Sequence, residues 1–339
     1  MKDSLRESRL LTLLGTGGSG KTRLALQAGA DLIDNFANGV WFVELEQVSD
    51  PVLLPTAINN SLGVQEESQK SPEESLAEFV KDKEILIILD NCEQIAEACA
   101  NIAERLLKRS PKLRIIVTSR EALKCEGELT HRIDSLTTPD KYRKYSFEEI
   151  LNFESVRLFE ERAQAVTPAF KITPENSKIV AGICTDLDGI PLAIELAAAR
   201  TKVLGVDKIH ERLKDRFKLL TGGRRTALPR QQTLKALIDW SYDLLTDQEK
   251  ALWERLSVFA GGWSLEAAEE VCSDDLIEQY DILDLLFNLN EKSIIIYDEE
   301  NERYRMLESI RQYGDEKLAS SGSKDVTVLG TLNTTAILR

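Results

Sequence analysis

Short runs of apolar residues alternate with four-residue apolar spacing along roughly the first 138 positions. Leu10–Leu14, Val40–Val43, Ile85–Leu89 and Ile115–Val117 are too short for helices and nearly continuous, the pattern of strands buried on both faces. Between them Leu24, Ala28, Leu32 and Phe36 recur at every fourth position, as do Ile95, Cys99, Ala103 and Leu107. That spacing predicts amphipathic helices laid on a sheet. Strand and helix in alternation give βαβ units, and so an α/β fold with a doubly wound parallel sheet and helices on both faces. Leu129–Ile133 adds a last strand, closing a first domain at 1–138.

From Thr138 the strand signals stop and a helical domain is expected over 139–220. Val156, Phe159, Ala163 and Val166 form one face, and Ile179, Ile183 and Leu187 another. Thr173-Pro174-Glu175 reads as a helix start, with a capping hydroxyl, proline in the first turn and an acid near the positive dipole end. A Gly/Arg-rich linker, Thr221–Gln232, leads into a third domain at 221–318. Helices are expected there at Leu234–Leu245, Asp247–Phe259, Leu265–Val271 and Ile282–Asn290, then two strands around an acidic turn in SIIIYDEENERYRMLE. Helices followed by a hairpin suggest a winged helix. Residues 319–339 fit no element.

The chain has 57 acidic against 43 basic residues, net −14, a field poorly suited to nucleic acid or anionic membrane. Arg224, Arg225, Arg230 and Lys235 form a local basic cluster, but Asp239, Asp243, Asp247 and Glu249 offset it. Direct DNA binding is therefore not expected. Five scattered cysteines without a CxxC pair, and only two histidines, argue against disulfides or a zinc site and for a reducing compartment. No leader pattern opens the chain and no apolar run reaches the ~18 residues of a membrane span, so the cytoplasm is the expected location.

One segment carries chemistry. GTGGSGKT, Gly15–Thr22, matches G-x-x-x-x-G-K-[ST] between a buried strand and a helix, where the phosphate-cradling mechanism requires it. Gly15, Gly17, Gly18, Ser19 and Gly20 would turn backbone N–H groups inward, the following helix adds its positive end, and Arg23 just past the motif is counted among the nucleotide-binding residues. Lys21 would bear on the β- and γ-phosphates, and Thr22 on Mg²⁺. Asp90 ends the apolar run ILIILDN and is the candidate second Mg²⁺ residue. The next residue is Asn91, which cannot take a proton from water, with Glu93 two positions on. Slow hydrolysis at most is expected. Arg120 follows IIVTS at the carboxyl end of another strand, where it would face the ligand crevice and read a γ-phosphate. No N-K-x-D guanine motif exists in the chain, which leaves ATP and ADP as the expected nucleotides.

With these residues in view, the chain resembles the STAND class of P-loop ATPases, the NB-ARC/AP-ATPase group. It looks most like the ATPase module of LuxR/AfsR-type bacterial transcriptional regulators. The resemblance covers roughly residues 10–318 and rests on LLTLLGTGGSGKTRLAL, ILIILDNCEQI, IIVTSRE, GIPLAIELAAAR, LPRQQTLKALIDWSYDLL, LSVFAGGWSLEAAEEVC and RMLESIRQYG in that order. It implies a P-loop domain, a helical domain and a winged-helix lid enclosing the nucleotide, with ADP holding a closed form and ATP an open, signalling one. It implies that Pro191 packs against adenine and ribose and that Arg120 senses the γ-phosphate. Self-association on activation and an output domain or partner are implied as well.

The sequence departs from the group twice. Leu307 stands where many relatives have a histidine that touches ADP, between Met306 and Glu308. Only about ten residues precede Leu11, so the adenine pocket is expected to be incomplete. Two alternatives stay open on residues alone: a phosphotransferase acting on a small acceptor, and a winged-helix DNA-binding regulator.

Overall fold

The apolar runs of the first half fold into β1 Leu10–Leu14, β2 Val40–Glu44, β3 Leu86–Asp90, β4 Arg114–Ser119 and β5 Glu128–Arg132. They form one parallel sheet in the order β2-β3-β4-β1-β5. This is a computed structural model; it describes residues 4–46, 48–65, 69–213, 234–259 and 262–321. The chain divides into two compact units, one of Met1–Thr16 and Gly20–Ile133, the other of Gly17–Ser19 and Asp134–Arg339.

Alternation along each strand explains the unbroken apolar runs in the first unit. Leu10, Ile87, Leu89, Ile115 and Val117 enter one core, which holds residues of the helices Leu54–Leu62, Pro72–Val80 and Ala96–Arg109. Leu11, Leu13, Leu86, Ile88 and Ile116 enter a second core with the helix Lys21–Leu32. Both faces are thus covered, and each fully buried leucine or isoleucine contributes roughly 1.5–3 kcal/mol.

The helix differs from the expectation at two residues, Phe36, which is buried but lies past the helix end, and Leu24. The buried positions of Lys21–Leu32 are Ala25, Ala28, Gly29 and Leu32, while Leu24 is exposed. The cause is close approach. A Cβ on Gly29 would stand 2.8 Å from Ile88 Cδ1 and 3.1 Å from Val40 Cγ1, so the sheet admits only small residues there. The helices Leu54–Leu62 and Pro72–Val80 had no counterpart in the periodicity. Ser71 and Glu74 form a reciprocal cap at the second of them, with Pro72 in its first turn.

The second unit is built from helices. Glu154–Val166, Ser177–Asp186, Pro191–Ala198 and Val206–Arg212 come first, then Leu234–Asp243, Asp247–Leu256, Leu265–Cys272 and Ile282–Glu291. β6 Ile295–Asp298 and β7 Arg303–Met306 pair as an antiparallel hairpin, and Glu308–Ser321 is a last helix. Val156, Phe159 and Ala163 are buried as the spacing implied, but Val166 is exposed at the end of its helix. The helix expected to start at Thr173 begins at Ser177; residues 174–176 form a turn whose Asn176 side chain accepts from the Thr173 N–H at 2.8 Å. The hydroxyl-proline-acid signal marks this turn instead.

Trp253 is fully buried and its indole N–H donates to the Ile310 carbonyl at 3.1 Å. Thr246 and Glu249 cap the helix Asp247–Leu256, and the Glu249 carboxylate also pairs with Lys292 at 2.8 Å. The expected linker Thr221–Gln232 and residues 322–339 lie outside the described residues. The helix ending at Ser321 takes the first three residues of the unassigned tail. Among the described residues no helix is long and apolar enough to cross a membrane.

Candidate functional site

Parallel strands share a direction, so β1, β3 and β4 all end at the same edge of the sheet. β4 lies between the other two, with Leu14 beside Ser119 and Leu89 beside Val117. This register brings together three segments distant in sequence: the glycine-rich loop after β1, Asp90-Asn91 at the end of β3, and Thr118 to Arg120 at the end of β4.

The loop leaves β1 through Gly15 and turns into the helix at Lys21. Gly18 and Gly20 take φ of 79° and 96°, values that L side chains rarely adopt. Gly20 is the residue before the helix, and beyond its own chain neighbours no heavy atom lies within 4 Å of where its Cβ would stand. The Lys21 ammonium folds back over the loop, donating to the carbonyls of Gly15 at 2.7 Å and Thr16 at 3.1 Å. Ser19 is buried and its Oγ has no hydrogen-bond partner among the described residues. Arg23 is exposed on the first turn.

Thr22, the next helix residue, donates its hydroxyl to Asp90 Oδ1 at 2.8 Å. Thr118 donates to the same oxygen at 2.6 Å and accepts from the Asn91 N–H at 2.9 Å. Asp90 is buried. Burial pushes its carboxyl above the usual carboxylate range, against the two threonine hydrogen bonds. A threonine hydroxyl and a carboxylate side by side are hard oxygen donors, the set that suits Mg²⁺ with the rest of its shell left to water and phosphate.

Arg120 is not a solvated surface residue. Its side chain is 8% exposed, and its Nε–H donates to Glu93 Oε1 at 3.2 Å, the Glu93 side chain being 5% exposed. Thus Lys21, Thr22 and Asp90 are gathered at the sheet edge, and Arg120 is buried against a carboxylate. The Thr118 hydroxyl had no role in the sequence reading. The signal available was its place at the end of a strand, but only the β3–β4 register shows that it faces Asp90.

Pro191 begins the helix Pro191–Ala198 in the second unit. The turn before it is tightly held. Asp188 and Gly189 both have positive φ, 55° and 66°. The Gly189 carbonyl accepts from the Leu136 N–H at 3.0 Å, and the Leu192 N–H donates to the Gly18 carbonyl at 3.3 Å. Asp188 Oδ2 accepts from the backbone N–H and the hydroxyl of Ser309 at 3.1 and 3.2 Å, at the start of the last helix. Leu307 is buried in the apolar core of this unit.

The NB-ARC domain family matches residues 1–144. A Mycobacterium tuberculosis protein named as an HTH-type transcriptional regulator is 40% identical over 328 residues, 96% of this chain and 36% of the relative. The chain therefore spans about a third of that relative. A second, uncharacterized protein of Mycobacterium tuberculosis is 39% identical over 327 residues, 96% of this chain and 80% of the relative. Among solved structures, that of the Aeropyrum pernix ORC2 protein, in ADPNP–ADP complexes, is similar with a TM-score of 0.51. It is 12% identical and covers 97% of this chain and 89% of that one. That likeness concerns the fold.

Proposed function

The chain belongs to the STAND class of P-loop ATPases, with an NB-ARC domain, and from that premise we propose that it is a regulatory switch operated by ATP and ADP. The observation that carries this reading is the cluster at the sheet edge: the glycine loop, Lys21 folded over it, and Thr22 beside Asp90. The parts fit the group they would hold. Ser19 offers a buried hydroxyl with no partner among the described residues, Gly20 leaves open space, and the Thr22–Asp90 pair offers oxygen donors. Bound Mg²⁺ would neutralise phosphate charge. Thr22 and Asp90 would hold it, while Lys21 and the loop amides would hold the phosphates.

The proposed architecture keeps three parts: a nucleotide domain at 1–138, a helical domain at 139–220 and a winged-helix lid at 221–318. The hairpin β6–β7 between helices supports the last. Pro191 is proposed to meet the base. The output is proposed to be control of transcription, from the name borne by the Mycobacterium tuberculosis relative, with self-association in the ATP form.

A switch must hold its nucleotide longer than an ordinary enzyme does. Asn91 cannot take a proton from water, Asp90 Oδ1 already accepts two hydroxyls, and Glu93 accepts from Arg120. ATP turnover, followed by phosphate release in the presence of Mg²⁺, should therefore run far below the ~10 s⁻¹ of a median enzyme. Rapid multiple turnover by the chain alone would contradict the switch.

A further inference from the structure

Glu93 is no part of the phosphate cradle, yet its side chain is only 5% exposed. It lies in the short turn Cys92–Gln94, which Asn91 opens in a left-handed conformation at φ 68°, ψ 56°. That turn, and the β3–β4 register, set Glu93 against Arg120 across 27 residues of sequence. One carboxylate oxygen takes the Arg120 Nε–H at 3.2 Å; the other, Oε2, is buried with no hydrogen-bond partner among the described residues. Arg120 directly follows β4, whose Thr118 is bonded to Asp90, and Asp90 in turn accepts from Thr22, the neighbour of Lys21. The Glu93–Arg120 pair therefore lies at the same sheet edge as the phosphate lysine.

A buried ion pair gains little over apolar side chains of the same size, because both ions lose water. A pair with an orphaned carboxylate oxygen gains still less. Its stability value does not account for this arrangement. Its position does: a guanidinium prefers a bidentate, multiply charged oxyanion to a single carboxylate oxygen, and a γ-phosphate is such an oxyanion.

We propose that Glu93 is a specificity-determining residue which, by holding Arg120, opposes capture of a γ-phosphate and tilts the site toward the nucleoside diphosphate. This rests on the reading that nucleotide phosphates lie over the loop Gly15–Gly20. ATP must draw the guanidinium away from Glu93 and leave a buried carboxylate behind, whereas ADP leaves the pair intact. The two nucleotides then differ in affinity by less than the charge of Arg120 alone would give.

The test is isothermal titration of the full chain with ADP and with the non-hydrolysable analogue AMP-PNP, both with Mg²⁺. In Glu93→Gln, an isosteric change, the affinity for AMP-PNP relative to ADP should rise about 10-fold, with ADP itself moving less than about 3-fold. Glu93→Asp keeps the charge and draws it back by one methylene, so it should raise the ratio by a smaller factor; it also serves if the glutamine variant does not fold. In an Arg120→Gln background, Glu93→Gln should no longer change the ratio. An unchanged ratio in both Glu93 variants would overturn the proposal, as would a shift that survives loss of Arg120. A purely structural Glu93 would lower both affinities together. If the parent chain binds neither nucleotide, the phosphate reading itself fails, and this inference with it.

Discussion

Replacing Lys21 with alanine is expected to weaken binding of ATP and ADP about 100-fold while leaving the fold intact. The ammonium is the one side-chain cation of the motif, and hydrogen bonds to charged groups contribute about 1.5–3 kcal/mol. A hundredfold is about 2.7 kcal/mol. In the structure it donates to the carbonyls of Gly15 and Thr16, polar groups that water can satisfy once the side chain is gone. Thermal unfolding separates the two effects. At a nucleotide concentration 100 times the parent Kd, ligand stabilises the parent by about 2.7 kcal/mol, and the variant, at its own Kd, by about 0.4 kcal/mol. An alanine variant that keeps the full ligand-induced shift would remove Lys21 from the site.

The second large effect concerns Gly189, in the turn before Pro191. Its φ of 66° costs an L residue about 1–2 kcal/mol. A Cβ there would also collide with the Leu136 carbonyl oxygen, which is backbone and cannot swing aside. Relief requires moving a segment tied by the Leu136 N–H bond to the Gly189 carbonyl, next to the residue that holds Ser309. Overpacking adds roughly 1–3 kcal/mol. Gly189→Ala should therefore lose about 3 kcal/mol or more in urea unfolding. Gly63→Ala, at a φ of 67° with nothing within 4 Å, should lose only the strain, about 1 kcal/mol. Equal losses would show that the close approach to Leu136 is not what fixes the turn. Pro191→Ala is the matching control two residues on. It keeps a helix-compatible conformation, so it should hold stability and lower nucleotide affinity if Pro191 meets the base.

These two positions also show what sequence reveals and what it hides. The phosphate loop was legible because its parts are contiguous: a strand, six residues of loop, Lys21 and Thr22 form one local device. The strands were legible because cores on both faces leave no polar alternation in Leu86–Asp90 or Arg114–Ser119. Leu24 misled because four-residue spacing registers apolarity but not distance. The Gly29 contact with Ile88 and Val40 decides which face can approach the sheet. The helices Leu54–Leu62 and Pro72–Val80 went unread, though Ser71, Pro72 and Glu74 give the second a local start signal. Pairs far apart in the chain were not legible. Arg120 with Glu93, Thr118 with Asp90, and Asp188 with Ser309 each depend on register or packing, which no single stretch encodes. Arg120 follows the end of β4 as the apolar run implies, but its carboxylate partner is supplied by a turn 27 residues away.

Native mass spectrometry of the full chain, after addition of Mg²⁺ and ATP and removal of the excess, tests the central claim most directly. The account predicts one nucleotide held per chain, present as ATP or as ADP formed slowly in place, and absent from Lys21→Ala. A chain that emerges bare from the same treatment, with its fold intact, would contradict it.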